Sequence, residues 1–312
     1  MVSAIGLGCN TIGGPSWDRS VRSDLPIGYG KVDDEQSIRA LRRALDLGIT
    51  FFDTADEYGC GHSEKVLASA LGAEKNSVVI STKFGFTFNE ATAEITGQDA
   101  SPAYIRQACE ASLHRLGREW IDVYLLHIRD LPYEAAGHAQ QTLEALVTEG
   151  KIRWYGWSTD DVARARFFAA GPHCAVIEHR LNLLLDAPEM LALCEELDLA
   201  SVNRIPLLMG ILSGRYHRDS LPPAEDVRSL FFSHSRFLED VHRVAQVRDI
   251  LTRDGRSMAQ GALAWILARS PRAIPIPGFR TVEQVEDNAG VLHAQPFTQE
   301  DRAQIYALTG IE

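Results

Sequence analysis

Short runs of β-branched and apolar residues alternate along this chain with longer stretches in which apolar residues recur at helical spacing. The predicted strands are Val2–Leu7, Ile49–Phe52, Val78–Thr82, Ile121–Leu126, Ile152–Trp157, Cys174–Ile177, Leu199–Ile205 and Ala273–Ile276. A helical pattern follows each of them. This order predicts a parallel sheet, because parallel neighbours need a connection long enough to bring the chain back, and a helix supplies it.

The number of strand–helix units distinguishes the two main folds of this class. Eight units within 312 residues favour closure into a (β/α)8 barrel, the TIM barrel, over an open doubly wound sheet. An open dinucleotide-binding sheet usually carries a G-x-G-x-x-G turn between a strand and a helix, and this sequence has no such unit. No linker divides the chain. We therefore predict an α/β fold with one (β/α)8 domain spanning residues 1–312.

Several predicted helices have recognisable ends. Gly48 suits a helix C-cap, and Ser101-Pro102 places a capping serine before a proline at the first helical position. Residues 257–260 and 281–284 both fit a capping box, in which two side chains bond each other's backbone. Two connections, 10–31 and 213–236, are longer than a compact domain normally needs, which predicts a functional role for them.

Charge and composition exclude several classes of partner. The formal net charge of −11 disfavours nucleic acid and anionic membranes as partners. No stretch is long and apolar enough to span a bilayer, and the N-terminus does not resemble a signal peptide. The five cysteines have no CxxC pair, so neither a metal site nor a disulfide framework is predicted. We expect a cytoplasmic protein, as a monomer or weak homo-oligomer.

Polar residues stand at the predicted ends of several strands. Strands two to four end at Asp53, Lys83 and His127, and Tyr58 lies in the loop just past Asp53. Because a (β/α)8 barrel builds its active site at the C-terminal ends of its strands, these side chains are expected to converge. Each residue alone is more often structural than functional, but Asp, Lys, Tyr and His together suit a general-acid site.

Ordered motifs around these residues resemble the aldo-keto reductase family. They are Phe52-Asp53-Thr54-Ala55-Asp56-Glu57-Tyr58-Gly59 with Ser63-Glu64, Ser81-Thr82-Lys83, Asp122-Val123-Tyr124-Leu125-Leu126-His127, Gly150-Lys151-Ile152-Arg153 leading to Gly156-Trp157-Ser158, and Ile276-Pro277-Gly278 leading to Asn288. The resemblance covers nearly the whole chain. It implies a (β/α)8 fold, use of NADPH and reduction of a small-molecule carbonyl substrate, an aldehyde or ketone and possibly a sugar carbonyl.

The residue types are consistent with that chemistry. A tyrosine that donates a proton to a forming alkoxide has an ordinary pKa of about 10, and a nearby lysine ammonium lowers it. We predict Tyr58 as the proton donor, Lys83 and Asp53 as the pair that tunes it, and His127 as the group that orients the carbonyl oxygen.

The resemblance also implies residues that hold the nicotinamide end of the cofactor. Ser158, after strand five, and Asn182, after strand six, match the family's carboxamide contacts. Glu178 stands where the family usually has glutamine, and a carboxylate accepts hydrogen bonds but does not donate them. Arg204 replaces the aromatic residue that often stacks on the nicotinamide, with Pro206 and Leu207 beside it.

A second cofactor region follows the last strand. Gly278 and the next helix N-terminus suit a phosphate, and Arg280 is predicted to bind the 2′-phosphate of NADP. Gln284 and Asn288 share a helix face that suits adenine, although Gln284 equally fits a capping role. NADP (NADPH) is therefore favoured, and NAD stays possible.

Two questions stay open at this stage. Aromatic residues that suit a substrate pocket are Phe84, Phe86, Phe88, Trp157, Phe231 and Phe232, and about half of such residues are simply core. The alternative functions are a cofactor-binding regulatory subunit, like those of potassium channels, and an enzyme that works mainly as an alcohol or sugar dehydrogenase.

Overall fold

Eight parallel strands form the central sheet of the computed structural model, which describes residues 2–21, 24–216, 226–229 and 235–310. In sheet order the strands are β1 (Leu7–Gly8), β2 (Phe51–Asp53), β3 (Val79–Phe84), β6 (Ile121–Leu126), β7 (Ile152–Ser158), β8 (Cys174–Arg180), β9 (Ala200–Arg204) and β10 (Ala273–Pro275). Each strand pairs with the next strand of the barrel in sequence. The predicted (β/α)8 fold is confirmed.

The barrel closes between its last and first strands through a sparse ladder. Gly6 N–H donates to the carbonyl of Pro275 at 3.0 Å, and Gly8 N–H donates to that of Pro277 at 3.1 Å. Proline has no N–H, so neither Pro275 nor Pro277 donates a bond in return. The first strand is Leu7–Gly8 rather than the predicted run from Val2, because it pairs only with Phe52 and Asp53 of the short strand β2.

Eleven α-helices are described in these parts of the chain. They are α1 (Asp34–Asp46), α2 (His62–Leu71), α3 (Pro102–Leu116), α4 (Tyr133–Thr148), α5 (Val162–Phe168), α6 (Pro188–Glu196), α7 (Ser235–Gln246), α8 (Arg248–Leu251), α9 (Met258–Leu267), α10 (Val282–Ala289) and α11 (Gln299–Thr309). None of the described helices is long and apolar enough to cross a membrane.

Local capping chemistry accounts for several of these helix ends. The Ser101 hydroxyl accepts from Tyr104 N–H ahead of Pro102, as predicted. The Ser257 box is complete, with Gln260 returning to the backbone of Ser257. The predicted box at Thr281 is only half formed: Thr281 caps Gln284 N–H, but the Gln284 side chain accepts from Arg280 N–H at 2.7 Å instead.

A two-stranded antiparallel hairpin was not predicted. Its strands, β4 (Phe86–Asn89) and β5 (Glu94–Gln98), follow β3 directly and stand outside the barrel. The predicted helical periodicity also overlooked α7 and the terminal α11.

The alternation of side chains along each strand sets what faces the barrel interior. A small buried cluster contains Phe51, Val123, Leu125, Val176, Val202 and Ile276, and the larger core cluster includes residues of both the strands and the surrounding helices. Moving two residues along a strand keeps the same face, so Asp53, His127, Glu178 and Arg204 continue the rows that these apolar residues begin. The sequence period of two therefore directs these polar groups toward one end of the barrel axis.

Candidate active site

A cavity of about 490 Å³ opens at the C-terminal ends of the strands. Its volume lies in the usual range for sites that bind small molecules and cofactors. The predicted site residues in its wall are Asp53, Tyr58, His127, Glu178, Arg204, Pro206, Leu207, Gly278, Arg280, Gln284 and Asn288. Lys83 lies just beneath the wall, fully buried.

The predicted catalytic residues Asp53 and Tyr58 both lie beside the Lys83 ammonium, and His127 lies next to Tyr58. Lys83 Nζ donates to Asp53 Oδ2 at 2.5 Å and to the carbonyl of Thr54 at 2.9 Å. The same nitrogen lies 5.2 Å from the centre of the Tyr58 ring. His127 stands edge-on to Tyr58, with 6.1 Å between ring centres. The four side chains therefore form one contiguous group at the base of the cavity.

The loop after β2 holds Tyr58 in place. Tyr58 N–H donates to the carbonyl of Ala55, and the carbonyl of Tyr58 accepts from Ser63 N–H at the start of α2. Gly59 follows with φ of +61°, and a Cβ there would lie 1.8 Å from the carbonyl oxygen of Gly13. Only glycine permits this conformation and this close approach, so the loop is pinned beside Tyr58.

Glu178 is a further member of the Lys83 cluster. Its Oε2 lies 3.2 Å from Lys83 Nζ, and its Oε1 accepts from the Ser158 hydroxyl at 2.9 Å. Asp53 and Glu178 are both at most 2% exposed, so two buried carboxylates share one ammonium. Burial, followed by the charge of Glu178, raises the pKa of Asp53 to about 8 although Lys83 lowers it.

The pKa of Tyr58 differs from the simple expectation of a lysine-acidified phenol. Lys83 does lower it, but burial has the larger effect, and Asp53, Glu178 and Glu57 also raise it. The net direction is well above the ordinary value of 10. Tyr58 therefore holds its proton across the neutral range, which suits a proton donor.

His127 is held in its neutral form. Burial lowers its pKa well below 6.5, and the positive charges of Lys83, Arg204 and Arg129 lower it further. Its Nδ1 lies 3.4 Å from Glu57 Oε1, outside good hydrogen-bond geometry. A neutral imidazole carries one N–H and therefore offers a single donor to a ligand oxygen.

Two of the predicted carboxamide contacts do not reach the cavity wall. The Ser158 hydroxyl donates its hydrogen bond to Glu178 Oε1. Asn182 Oδ1 accepts from Leu184 N–H, and its Nδ2 donates to the carbonyl of Ile205. Both side chains thus support their neighbours from behind the wall.

Arg204 lies in the wall with its guanidinium held by Asp160. Its NH2 donates to Asp160 Oδ2 at 2.6 Å. The following loop is strained: Ile205, Leu208 and Met209 all have φ between +46° and +57°, a region that side chains with a Cβ rarely adopt. Such strain concentrates at binding sites, and this loop forms one side of the cavity.

The loop between β10 and α10 offers groups for a phosphate. Gly278 is exposed, and a Cβ there would meet Thr11 at 2.9 Å, so the backbone is open to a ligand only because it lacks a side chain. Within the described residues, the amides of Thr281 and Val282 at the start of α10 have no acceptor. Free amides at a helix N-terminus suit an anion, so these residues fit the phosphate groups of a nucleotide cofactor.

Arg280 is already engaged in this structure. Its NH1 donates to the carbonyl of Tyr29 at 2.9 Å and its NH2 to that of Lys31. A guanidinium has five N–H donors, so donors remain for a phosphate. Asn288 Nδ2 approaches the carbonyl of Gly278 at 3.5 Å, and Gln284 accepts from Arg280 N–H. In this last contact the side-chain carbonyl oxygen of Gln284 is already a hydrogen-bond acceptor, whereas the prediction of adenine binding assumed that it was free.

None of the predicted pocket aromatics that the structure describes, Phe84, Phe86, Phe88 and Trp157, lines the cavity. Phe84 and Trp157 are fully buried, and Trp157 Nε1 donates to the carbonyl of Ile128, so neither contacts the cavity. Phe86 packs edge-on against His127 at 5.5 Å between ring centres. Phe88 lies under the Arg115 guanidinium. Phe231 and Phe232 lie outside the described residues.

The sequence did not single out several residues of the wall. The loop before α1 contributes Asn10, Thr11 and Tyr29, and the segment after β9 contributes Met209, Gly210, Ser213, Arg215, Tyr216 and Arg228. Glu57 and Arg129 also line it. Most of them lie in or next to the two unusually long connections, and that length was the available signal.

Comparisons with known proteins agree with this geometry. The sequence profile of the Aldo/keto reductase family matches residues 4–309. The chain is 32% identical to the NADP(+) aldo-keto reductase yakc of Schizosaccharomyces pombe, covering 93% of this chain and 84% of that protein. It is 29% identical to the NADH-specific methylglyoxal reductase of Escherichia coli, covering 94% and 90%.

Solved structures share the fold along almost the whole chain. A glycerol dehydrogenase from Gluconobacter oxydans is 28% identical with a TM-score of 0.84, covering 98% of this chain and 91% of that one. An aldo/keto reductase from Klebsiella pneumoniae, solved with NADP and acetate, is 28% identical with a TM-score of 0.70, covering 99% and 92%. These relatives do not favour a non-catalytic subunit. The chain therefore belongs to the aldo/keto reductase family and is an NAD(P)H-dependent oxidoreductase that reduces carbonyl groups.

Proposed function

We propose that this enzyme reduces small aldehydes or ketones with NADPH in preference to NADH, and that Tyr58 is the proton donor. The observation that carries the proposal is the position of Tyr58 in the cavity, with its ring beside the buried Lys83 ammonium and its phenol protonated at neutral pH.

Each residue of the group then has a chemical role. The bound cofactor supplies the hydride. The neutral His127 donates one hydrogen bond to the carbonyl oxygen and orients it, and Tyr58 gives that oxygen its proton. The Lys83 ammonium stabilises the tyrosinate left behind, because it is the cation nearest to the ring. Asp53 holds Lys83 in place through the 2.5 Å hydrogen bond.

The preference for NADP rests on the region after β10. Gly278 and the free amides of α10 suit a phosphate, and Arg280 has donors left for the 2′-phosphate that distinguishes NADP from NAD. The other proposed contacts are Glu178, Arg204, Pro206 and Leu207 on the nicotinamide side, with Ser158 and Asn182 supporting them, and Gln284 and Asn288 on the adenine side. The relatives include both an NADP(+) enzyme and an NADH-specific one by name, so titration of both cofactors is needed.

The substrate is proposed to be a small oxygenated carbonyl compound, such as a sugar. Arg129 and Arg215 line the cavity together with Tyr29 and Tyr216, so its wall offers hydrogen-bond donors and aromatic surface. A cytoplasmic location belongs to the proposal, since all five cysteines are unpaired and buried, as suits a reducing compartment. A monomer or weak homo-oligomer stays an expectation.

A carbonyl panel with NADPH and NADH, followed by nicotinamide absorbance, tests the activity, and Tyr58→Phe tests the acid. We expect Tyr58→Phe to lower kcat by about 100- to 10,000-fold, the usual contribution of a general acid, with the dissociation constant for NADPH unchanged. Tyr133→Phe is the control, because it removes the hydroxyl of an exposed tyrosine on α4 outside the cavity wall, and it should retain full turnover. Full activity in Tyr58→Phe would contradict the assignment.

A further inference from the structure

The buried group around Lys83 contains two carboxyl groups for one ammonium, so it carries one excess negative charge only above the pKa of about 8 of Asp53. Lys83 Nζ contacts Asp53 at 2.5 Å and Glu178 at 3.2 Å, and all three side chains are at most 2% exposed. A lysine–aspartate pair alone would be neutral. When Asp53 is ionised, the carboxylate of Glu178 therefore adds a negative charge that no second ammonium of this cluster compensates.

The surrounding cations form no ion pair with Glu178 among the described residues. Arg204 is close enough to Glu178 to feel its field, but its guanidinium is paired with Asp160 at 2.6 Å, and Asp160 also pairs with Arg180. The Ser158 hydroxyl stabilises Glu178 by a hydrogen bond without contributing a charge. The positive charge of Arg129 acts on Glu57 instead. Among the described residues, Lys83 is thus the cation in direct contact with Glu178.

The position of the excess charge determines what it acts on. Glu178 and Tyr58 line the same cavity. Both lie near the Lys83 ammonium: Glu178 Oε2 is 3.2 Å from Nζ, and the centre of the Tyr58 ring is 5.2 Å from it. A hydride donor has to lie beside the carbonyl that Tyr58 protonates. The nicotinamide end of a cofactor would therefore bind next to the wall that Glu178 forms. The nicotinamide ring is neutral when reduced and carries one positive charge when oxidised.

We propose that Glu178 makes this site bind the oxidised nicotinamide cofactor more tightly than the reduced one. The inference rests on the proposed function, because it assumes that the nicotinamide lies at the Tyr58 end of the cavity. A buried carboxylate attracts the cationic ring and is indifferent, to first order, to the neutral ring. The same attraction grows as the ring becomes positive during hydride donation, so it favours reduction of the carbonyl within the complex.

The test compares the dissociation constants of NADP+ and NADPH in the wild type and in Glu178→Gln by fluorescence titration. The titrations are done at pH 9, above the pKa of about 8 of Asp53, so that the cluster carries its full charge. We expect Glu178→Gln to weaken NADP+ relative to NADPH by about tenfold, the order expected for one charge at several ångströms in a partly polar site. The ratio of the two constants cancels any hydrogen bond that glutamine makes equally to both forms.

Asp287→Asn is the matched control. Asp287 also lines the cavity, but it lies on α10 and accepts from Gln260, away from the Lys83 cluster. Removing its charge should change both dissociation constants alike and leave their ratio unchanged. An equal change of the ratio in both variants would overturn the proposal in favour of a general charge effect.

The remaining outcomes separate this inference from the proposed function. If both cofactor forms bind the wild type and Glu178→Gln with the same ratio, the role of Glu178 is wrong while the reductase assignment stands. If neither NADP nor NAD binds the wild type in either redox state, the proposed function fails and the inference fails with it.

Discussion

Replacement of Lys83 by methionine is the most direct test of the electrostatics of the buried cluster. Methionine has nearly the length and volume of the lysine stem, so packing changes little while the ammonium is lost. Asp53 and Glu178 are then left buried without their cation. Breaking a buried ion pair by removing one partner typically costs about 3–5 kcal/mol of the free energy of unfolding. Because whole proteins are stable by about 5–15 kcal/mol, the variant should fold but be clearly weakened.

The loss of stability should depend on pH. In the folded wild type the pKa of Asp53 is raised from 3.8 to about 8, even though Lys83 lowers it. A group with a raised folded pKa binds its proton more tightly in the folded state, so its stabilising contribution is full below pH 4 and is lost as the pH rises toward 8. Without Lys83 the pKa rises further, so the two proteins differ in the ionisation of Asp53 only above pH 8, and the destabilisation relative to wild type should be larger at about pH 9.5 than at pH 7.

Urea unfolding followed by circular dichroism at pH 7 and pH 9.5 measures both quantities. The double variant Lys83→Met/Glu178→Gln is the internal control, because it leaves a single carboxylate in the cluster and should recover part of the stability lost at pH 9.5. An equal loss at the two pH values, or no recovery in the double variant, would refute the assignment of the cost to uncompensated buried charge. Turnover should also fall sharply in Lys83→Met, but the stability measurement does not depend on it.

Two further predictions concern the cofactor and the histidine. Arg280→Ala should weaken NADPH binding by about 1.5–3 kcal/mol, the range for hydrogen bonds to charged groups, and change NADH binding little; equal loss for both cofactors would indicate instead that Arg280 acts by holding the carbonyls of Tyr29 and Lys31. Nitrogen NMR of the His127 imidazole should show the neutral form at pH 6, because burial holds its pKa well below 6.5, and a charged ring at that pH would remove it as a single-N–H donor.

The sequence alone determined the architecture and the main chemical group of this protein. Strand–helix alternation follows from the local hydrophobic period, which short windows of the chain display, so seven of the eight barrel strands were predicted to within three residues at each end, whereas the first shares only Leu7 with its predicted run. Asp53, Lys83 and His127 were predicted to meet because parallel strands end at the same face of a barrel. The position of Tyr58 beside Lys83 followed from its closeness to Asp53 in the chain.

The tertiary structure decided what depends on contacts between distant segments. The shortened first strand follows from its pairing with Phe52 and Asp53 of β2, and its other neighbour, around Pro275 and Pro277, comes from the far end of the chain. Arg280 holds a loop some 250 residues away, and Gln284 turns to Arg280 rather than to Thr281. Glu178 reads in the sequence as an altered carboxamide contact; only the folded barrel brings it to 3.2 Å from Lys83 and makes it part of the charge balance. The pKa of Tyr58 also depends on the tertiary structure. Burial raises it, and the charged groups that act on it come from several strands, so no local motif contains this information.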